Sequence, residues 1–248
     1  MKKSSTPALL LIFIFIFSFT ISFSQEKADS SKSKLKISAT FSLNSNGISS
    51  IPAFSLGKPA IISSVTLAWN RFSYEPVLAY GLDMRAWFID NWLRYKIIDK
   101  PSFELRTGVN FSTFFSEYKL TDSEIWRSER YFALELTGIY KFAPNSTLLL
   151  SYWNDRGQEE GSLTGHFFNI VGERTNIKLG NSVLLSATMQ LFYIDYDGSN
   201  DGLFISPKIS SSLKETPFNL FFQIIQALHS NITPFPGFRW NIGFSYSL

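Results

Sequence analysis

The sequence predicts an all-β protein: a transmembrane, up-and-down antiparallel β-barrel of about twelve strands. Three observations lead there. The end of the chain alternates without a break. Phe238, Trp240, Ile242, Phe244, Tyr246 and Leu248 are apolar or aromatic, and Arg239, Asn241, Gly243, Ser245 and Ser247 between them are polar or small. Period two places the two sets on opposite faces of one strand. The same alternation returns along the chain, and beyond the N-terminal leader no apolar run is long enough for a spanning helix. Finally, aromatics make up 17% of residues, with 25 Phe. A soluble sandwich or lipocalin-like barrel would have to pack those side chains inside, and a lumen of this strand number has no room for them.

The leader comes first. Lys2 and Lys3 precede an apolar run from Ala8 to Phe23, and Ser22 and Ser24 are small residues before Gln25. This is the layout of a cleaved signal peptide over residues 1–24, shorter than an anchoring helix requires. Residues 25–34, Ser- and Lys-rich, read as a flexible lead-in, and residues 35–248 as the barrel. The chain has no cysteine, so neither disulfides nor thiol chemistry enter. Loss of Lys2 and Lys3 lowers the formal charge from +3 to +1, which gives no basis for nucleic-acid binding.

The strands then follow in order. Leu35 to Leu43 alternates, and residues 61–69 form a second strand that ends at Asn70-Arg71. Phe72, Tyr74, Leu78, Tyr80 and Leu82 mark the third, and Trp87, Ile89, Leu93, Tyr95 and Ile97 the fourth. After Asp99-Lys100-Pro101 come Phe103 to Phe115, then Phe132 to Phe142, then Leu148, Leu150 and Tyr152. In residues 165–178 Phe167 and Phe168 fall on both faces, which predicts a bulge near Gly172. Val183 to Tyr193, Leu203 to Leu213, Phe218 to Leu228 and the terminal strand complete the set. Tight turns fall on one side, and connections at residues 44–60, 82–84, 116–128, 154–161, 197–202 and 229–237 on the other. The short connection at 82–84 leaves ten or fourteen strands open. Trp69, Tyr74, Trp87, Tyr95, Tyr140, Tyr152 and Tyr193 lie near strand ends, where interfacial girdles belong.

The aromatic strand from Phe238 to Leu248 resembles the terminal strand of bacterial outer-membrane β-barrels, which the assembly machinery recognises. The resemblance implies placement in the outer membrane with both termini in the periplasm. It also implies contact with outer-membrane lipid and with the assembly machinery during insertion. Phe238, Trp240, Ile242, Phe244, Tyr246 and Leu248 would be the assembly signal. It names no activity.

On this parity the inner face receives Glu75, Asp90, Arg94, Lys96, Glu104, Arg106, Glu135, Lys141, Lys208 and Arg239, with Trp92, Phe114, Trp153 and Phe204 as inward aromatics. One register across the Asp99–Pro101 turn sets Lys96 opposite Glu104 and Arg94 opposite Arg106. Mixed charges that pair would plug the lumen; charges left hydrated would line a pore. The first long connection, residues 44–60, is apolar for an outer loop and folds into the mouth, docks on a partner, or is an ordinary ordered loop.

The expected function is a structural or accessory subunit of a larger outer-membrane complex for transport, secretion or protein insertion, with a charge-plugged lumen and other outer-membrane proteins as candidate partners. The alternative is a porin-like passive channel for small solutes, and a remoter one a lipid-modifying enzyme. For the last, His166 near Thr164 and His229 beside Ser230 are the only histidines, and nothing in the sequence converges them on a nucleophile. No catalytic residue, cofactor or metal site is expected.

Overall fold

A computed structural model of the protein describes residues 35–49, 55–120, 123–196, 198, 200–232 and 237–248. The expected leader and lead-in lie outside the described residues. Twelve strands follow: β1 Lys36–Asn44, β2 Ala60–Trp69, β3 Phe72–Gly81, β4 Ala86–Asp99, β5 Phe103–Leu120, β6 Ser123–Ala143, β7 Ser146–Gly157, β8 Thr164–Leu179, β9 Val183–Tyr196, β10 Asn200–Leu213, β11 Phe218–Ser230 and β12 Phe238–Ser247. Each pairs antiparallel with its sequence neighbours, and β1 pairs with β12 to close the barrel. Closure leaves no strand edge without a ladder partner, the condition for β-structure in lipid.

Alternation decides which way the barrel faces. Ile37, Phe41, Leu43, Leu78, Leu93, Phe111, Leu134, Leu136, Ile170, Met189, Ile209, Leu220, Phe222, Trp240, Ile242 and Phe244 all stand on the outer surface, exposed. A continuous outer face of this chemistry is a lipid-facing belt.

One end of the barrel carries the described termini and the tight turns; it is called the terminal end below. Two of those turns place Asn70 and Asn145 in the left-handed region, at φ 55° and 61°. Asparagine tolerates that conformation better than most residues, so each pair of strands can reverse within two residues.

The other end differs from the expected loops. The connection expected at 116–128 is a protruding hairpin, because the β5–β6 ladder continues to Leu120↔Ser123. β7 runs on to Gly157, and β10 already begins at Asn200. Two parity expectations also shift. The bulge expected near Gly172 lies instead between Arg174 and Ile177. Trp87, expected in the lipid girdle, is 2% exposed and points inward. The register shift between Ala79 and Tyr80 reverses the parity of β4 at that point.

Candidate functional site: the lumen

The inner face is built in rows, one residue per strand, fixed by the ladders. One row runs Lys96, Arg106, Thr137, Ser151, Asn169, Phe192 and Phe204. The next towards the long-loop end runs Arg94, Gly108, Glu135, Trp153, Phe167 and Ile194. Above it lie Trp92, Asn110, Ala133, Asp155, Gly165 and Tyr196, and then Asp90, Ser112 and Tyr131.

Towards the terminal end, the wall of β3 to β6 holds an ion-pair layer. Arg94 donates from Nη1 to Glu75 and from Nε to Glu135. Glu135 is 3% exposed. It also accepts from the Thr137 hydroxyl at 2.6 Å and lies 3.6 Å from Arg106 Nη2. Ser73 donates to Glu75 at 2.7 Å. The Arg94–Glu135 pair crosses Gly108, where a Cβ would come within 2.9 Å of Arg94 Cγ and 3.0 Å of Glu135 Oε2. Gly108 is therefore the gap through which the pair closes. Buried carboxylates with opposite charges and hydrogen bonds at hand are satisfied; the same groups alone would be costly.

The backbone register corrects one expectation. Lys96 stands opposite Arg106, and Arg94 opposite Gly108, with an irregularity between Lys96 and Ile98. Lys96 still reaches Glu104, diagonally, at 2.8 Å. The structure thus gathers Glu75, Arg94, Lys96, Glu104, Arg106 and Glu135 on one wall. It leaves three expected charges apart. Lys141 is exposed at the terminal end, with no ion pair among the described residues. Lys208 sits over the Phe221 ring, 4.4 Å from its centroid. Arg239 lies against Gly57 of the first loop.

Towards the long-loop end the lumen is aromatic. Phe167, Phe192, Ile194, Tyr196, Phe204, Ile225 and Ile232 form one buried cluster, and Trp87, Phe88, Phe114 and Tyr131 belong to another. Trp92, Trp153 and Phe167 follow one another at centroid spacings of 5.3 and 4.6 Å. The described parts of the first connection, residues 45–49 and 55–59, fold into this mouth, one of the outcomes open from sequence. Asn241 clasps its start, accepting from the Asn46 amide at 3.1 Å and donating to Asn44 at 2.9 Å. Ile48 packs on the first cluster and Leu56 on the second. At the rim, Lys58 donates to Asp83 at 2.6 Å and holds that carboxyl below its usual range.

Between the ion pairs and the loop lies a cavity of about 250 Å³, bounded by Asp90, Asn110, Ala133, Trp153, Asp155 and Ser49 among others. Trp92, with the Arg94 guanidinium 4.2 Å from its ring centroid, forms part of its wall. Asn110, Ser112 and Tyr131 were not among the candidates from sequence, and Asp155 is the charged member that the sequence reading did not place inside. Asn154 and Arg156 flank it where β7 leaves the apolar belt, so the segment reads as a loop although the alternation continues. Continued parity from Leu149 and Ser151 was the signal that could have found it.

The two histidines form no serine pair among the described residues. His166 faces outward, its Nδ1 2.7 Å from the Tyr152 hydroxyl, and His229 is exposed.

No protein-family model matches the sequence, and no curated protein matches it. Solved structures do share the fold. The KdgM porin in complex with disordered oligogalacturonate aligns with a TM-score of 0.53 at 12% identity, over 85% of this chain and 99% of its own. An outer-membrane channel from Pseudomonas putida F1 aligns with a TM-score of 0.54 at 9% identity, over 90% of this chain and 100% of its own. The protein has the fold of the bacterial outer-membrane β-barrels.

Proposed function

We propose that the protein is a narrow channel of the bacterial outer membrane that admits small solutes through a lumen restricted by residues 44–60. The termini face the periplasm, and the outer belt contacts lipid. Phe238, Trp240, Ile242, Phe244, Tyr246 and Leu248 present the edge that the assembly machinery reads.

The observation that carries this reading is the cavity beside Asp90 and Asp155. A barrel used only as a wall gains stability by filling its interior and pairing its charges. Here the ion-pair layer is complete, yet the space above it is open and carries carboxylates outside that layer. The solved structures of like fold include a porin and a channel, which agrees with the reading without carrying it.

The ion pairs and aromatic clusters favour a second reading, a closed barrel serving as an accessory subunit of a larger outer-membrane assembly. Bilayer recording on the refolded full chain separates the two. The channel reading expects steady small conductance steps. No current from protein that shows the heat-modifiable gel migration of a folded barrel would establish the closed barrel instead.

A further inference from the structure

The cavity has an unusual charge balance. Among the described residues around it and in the adjacent ion-pair layer, Glu75, Asp90, Glu104, Glu135 and Asp155 face Arg94, Lys96 and Arg106, and Lys96 is taken up by Glu104. Arg94 spends its Nη1 and Nε on Glu75 and Glu135, and Arg106 lies against Glu135. Asp90 has a hydrogen bond from Asn110 and feels Arg94 at a distance. Asp155 has no hydrogen bond or ion pair among the described residues; its electrostatic neighbours are Asp90 and Tyr196. Two carboxylates that face one space, neither of them in an ion pair among the described residues and both next to an Arg94 already engaged by Glu75 and Glu135, repel each other and attract a cation.

A second observation points the same way. Tyr196 is 2% exposed, and its hydroxyl has no hydrogen-bond partner. In its row only Gly165 separates it from Asp155. Its ring lies over that glycine, where an added Cβ would meet Cδ1 at 2.8 Å. The ring is therefore laid across the gap next to Asp155, with a hydroxyl that can accept a hydrogen bond from a donor or donate one to the carboxylate. The indole Nε1 of Trp153, on the cavity wall, is also buried without a partner.

The wall chemistry selects the kind of cation. Phe88, Trp92, Phe114 and Trp153 line the space, and aromatic faces attract organic ammonium ions. A hard metal ion needs several oxygen ligands, and no metal-holding group of three or more His, Cys, Asp or Glu exists among the described residues. We propose that this cavity binds a small organic ammonium ion, held by Asp90 and Asp155 against the aromatic walls, with Tyr196 beside Asp155 just outside the lining. The proposal rests on the channel reading for the route by which the ligand arrives.

Isothermal titration calorimetry on the refolded full chain tests it, with 1,4-diaminobutane, 1,4-butanediol and succinate as probes that share a chain length and differ in charge. Only the diamine should give saturating heat. Asp90→Asn and Asp155→Asn should each weaken it roughly tenfold or more, the scale of a lost charge-assisted hydrogen bond. Ala133→Leu, which fills the cavity without touching a charge, should weaken it as well, and it decides the matter should either Asn variant fail to fold. Glu215→Gln, in an exposed turn at the terminal end, should change nothing. Diol binding equal to diamine binding, diamine binding indifferent to these lumen variants, or no saturating heat would each overturn the site. A barrel that binds the diamine but carries no current refutes the channel and keeps the site. One that conducts but does not bind refutes the site alone.

Discussion

Arg94 shows how much of the lumen can hang on one side chain. It links Glu75 to Glu135 and lays its guanidinium over Trp92. Arg94→Ala leaves Glu135 buried with only Arg106, 3.6 Å away, and Thr137 to hold it. Removing one partner of a buried pair costs on the order of 3–5 kcal/mol. Arg106→Ala should cost less, since Arg106 is the more exposed and more distant partner. Urea unfolding of both variants in lipid vesicles measures the difference; equal midpoints would refute the ranking. At this scale the sequence was only half legible. Parity places Arg94, Glu135 and Asp90 inside because the pleat forces period two. It does not say that the Arg94–Glu135 pair closes over Gly108, since that depends on which strand positions face each other. Asp155 was hidden by polar neighbours, and Trp87 by a bulge that no residue in the sequence marks.

At the scale of the element, β12 shows what alternation can and cannot convey. Its outer residues, Phe238, Trp240, Ile242 and Phe244, are exposed, and Asn241 and Gly243 between them are buried. Ile242 lies near the middle of Phe238–Ser247, and Phe238 at its long-loop end. Ile242→Lys should therefore cost ~2–4 kcal/mol and Phe238→Lys ~0–1 kcal/mol, following depth in the bilayer. Equilibrium unfolding from vesicles checks this; equal costs would show that the strand does not cross as described. The sequence also conveyed which turns are tight, because Asn70 and Asn145 have a local reason to be there. It missed the protruding β5–β6 hairpin. Outside the apolar belt both faces meet water, so Glu117, Arg127 and Glu129 carry no period to read.

For the whole molecule, closure is the defining property. Thr40 and Ser247 meet across the β1–β12 seam, their hydroxyl oxygens 3.0 Å apart. The chain has no native cysteine to compete, so Thr40→Cys with Ser247→Cys should oxidise to a single cross-link within one chain. The oxidised protein should keep compact gel migration after heating, and reduction should abolish it. Failure to cross-link in the folded barrel would refute the seam. Strand number and lipid-facing surface were legible at this scale because every strand repeats one signal. The contents of the lumen were not, because the inner face mixes Phe167 and Phe204 with Asp90 and Glu135 and follows no single chemistry.

The seam is also where the ladder is shortest, from Thr40↔Ser247 to Asn44↔Gly243, against Phe103↔Tyr140 to Leu120↔Ser123 for β5 and β6. A chain delivered from its N-terminus produces β1 first and its seam partner last. Until β12 arrives, β1 waits with one flank bare, a template for any stray strand it meets. Nearly the whole described chain lies between the two strands that meet at the seam, and they meet over few rungs.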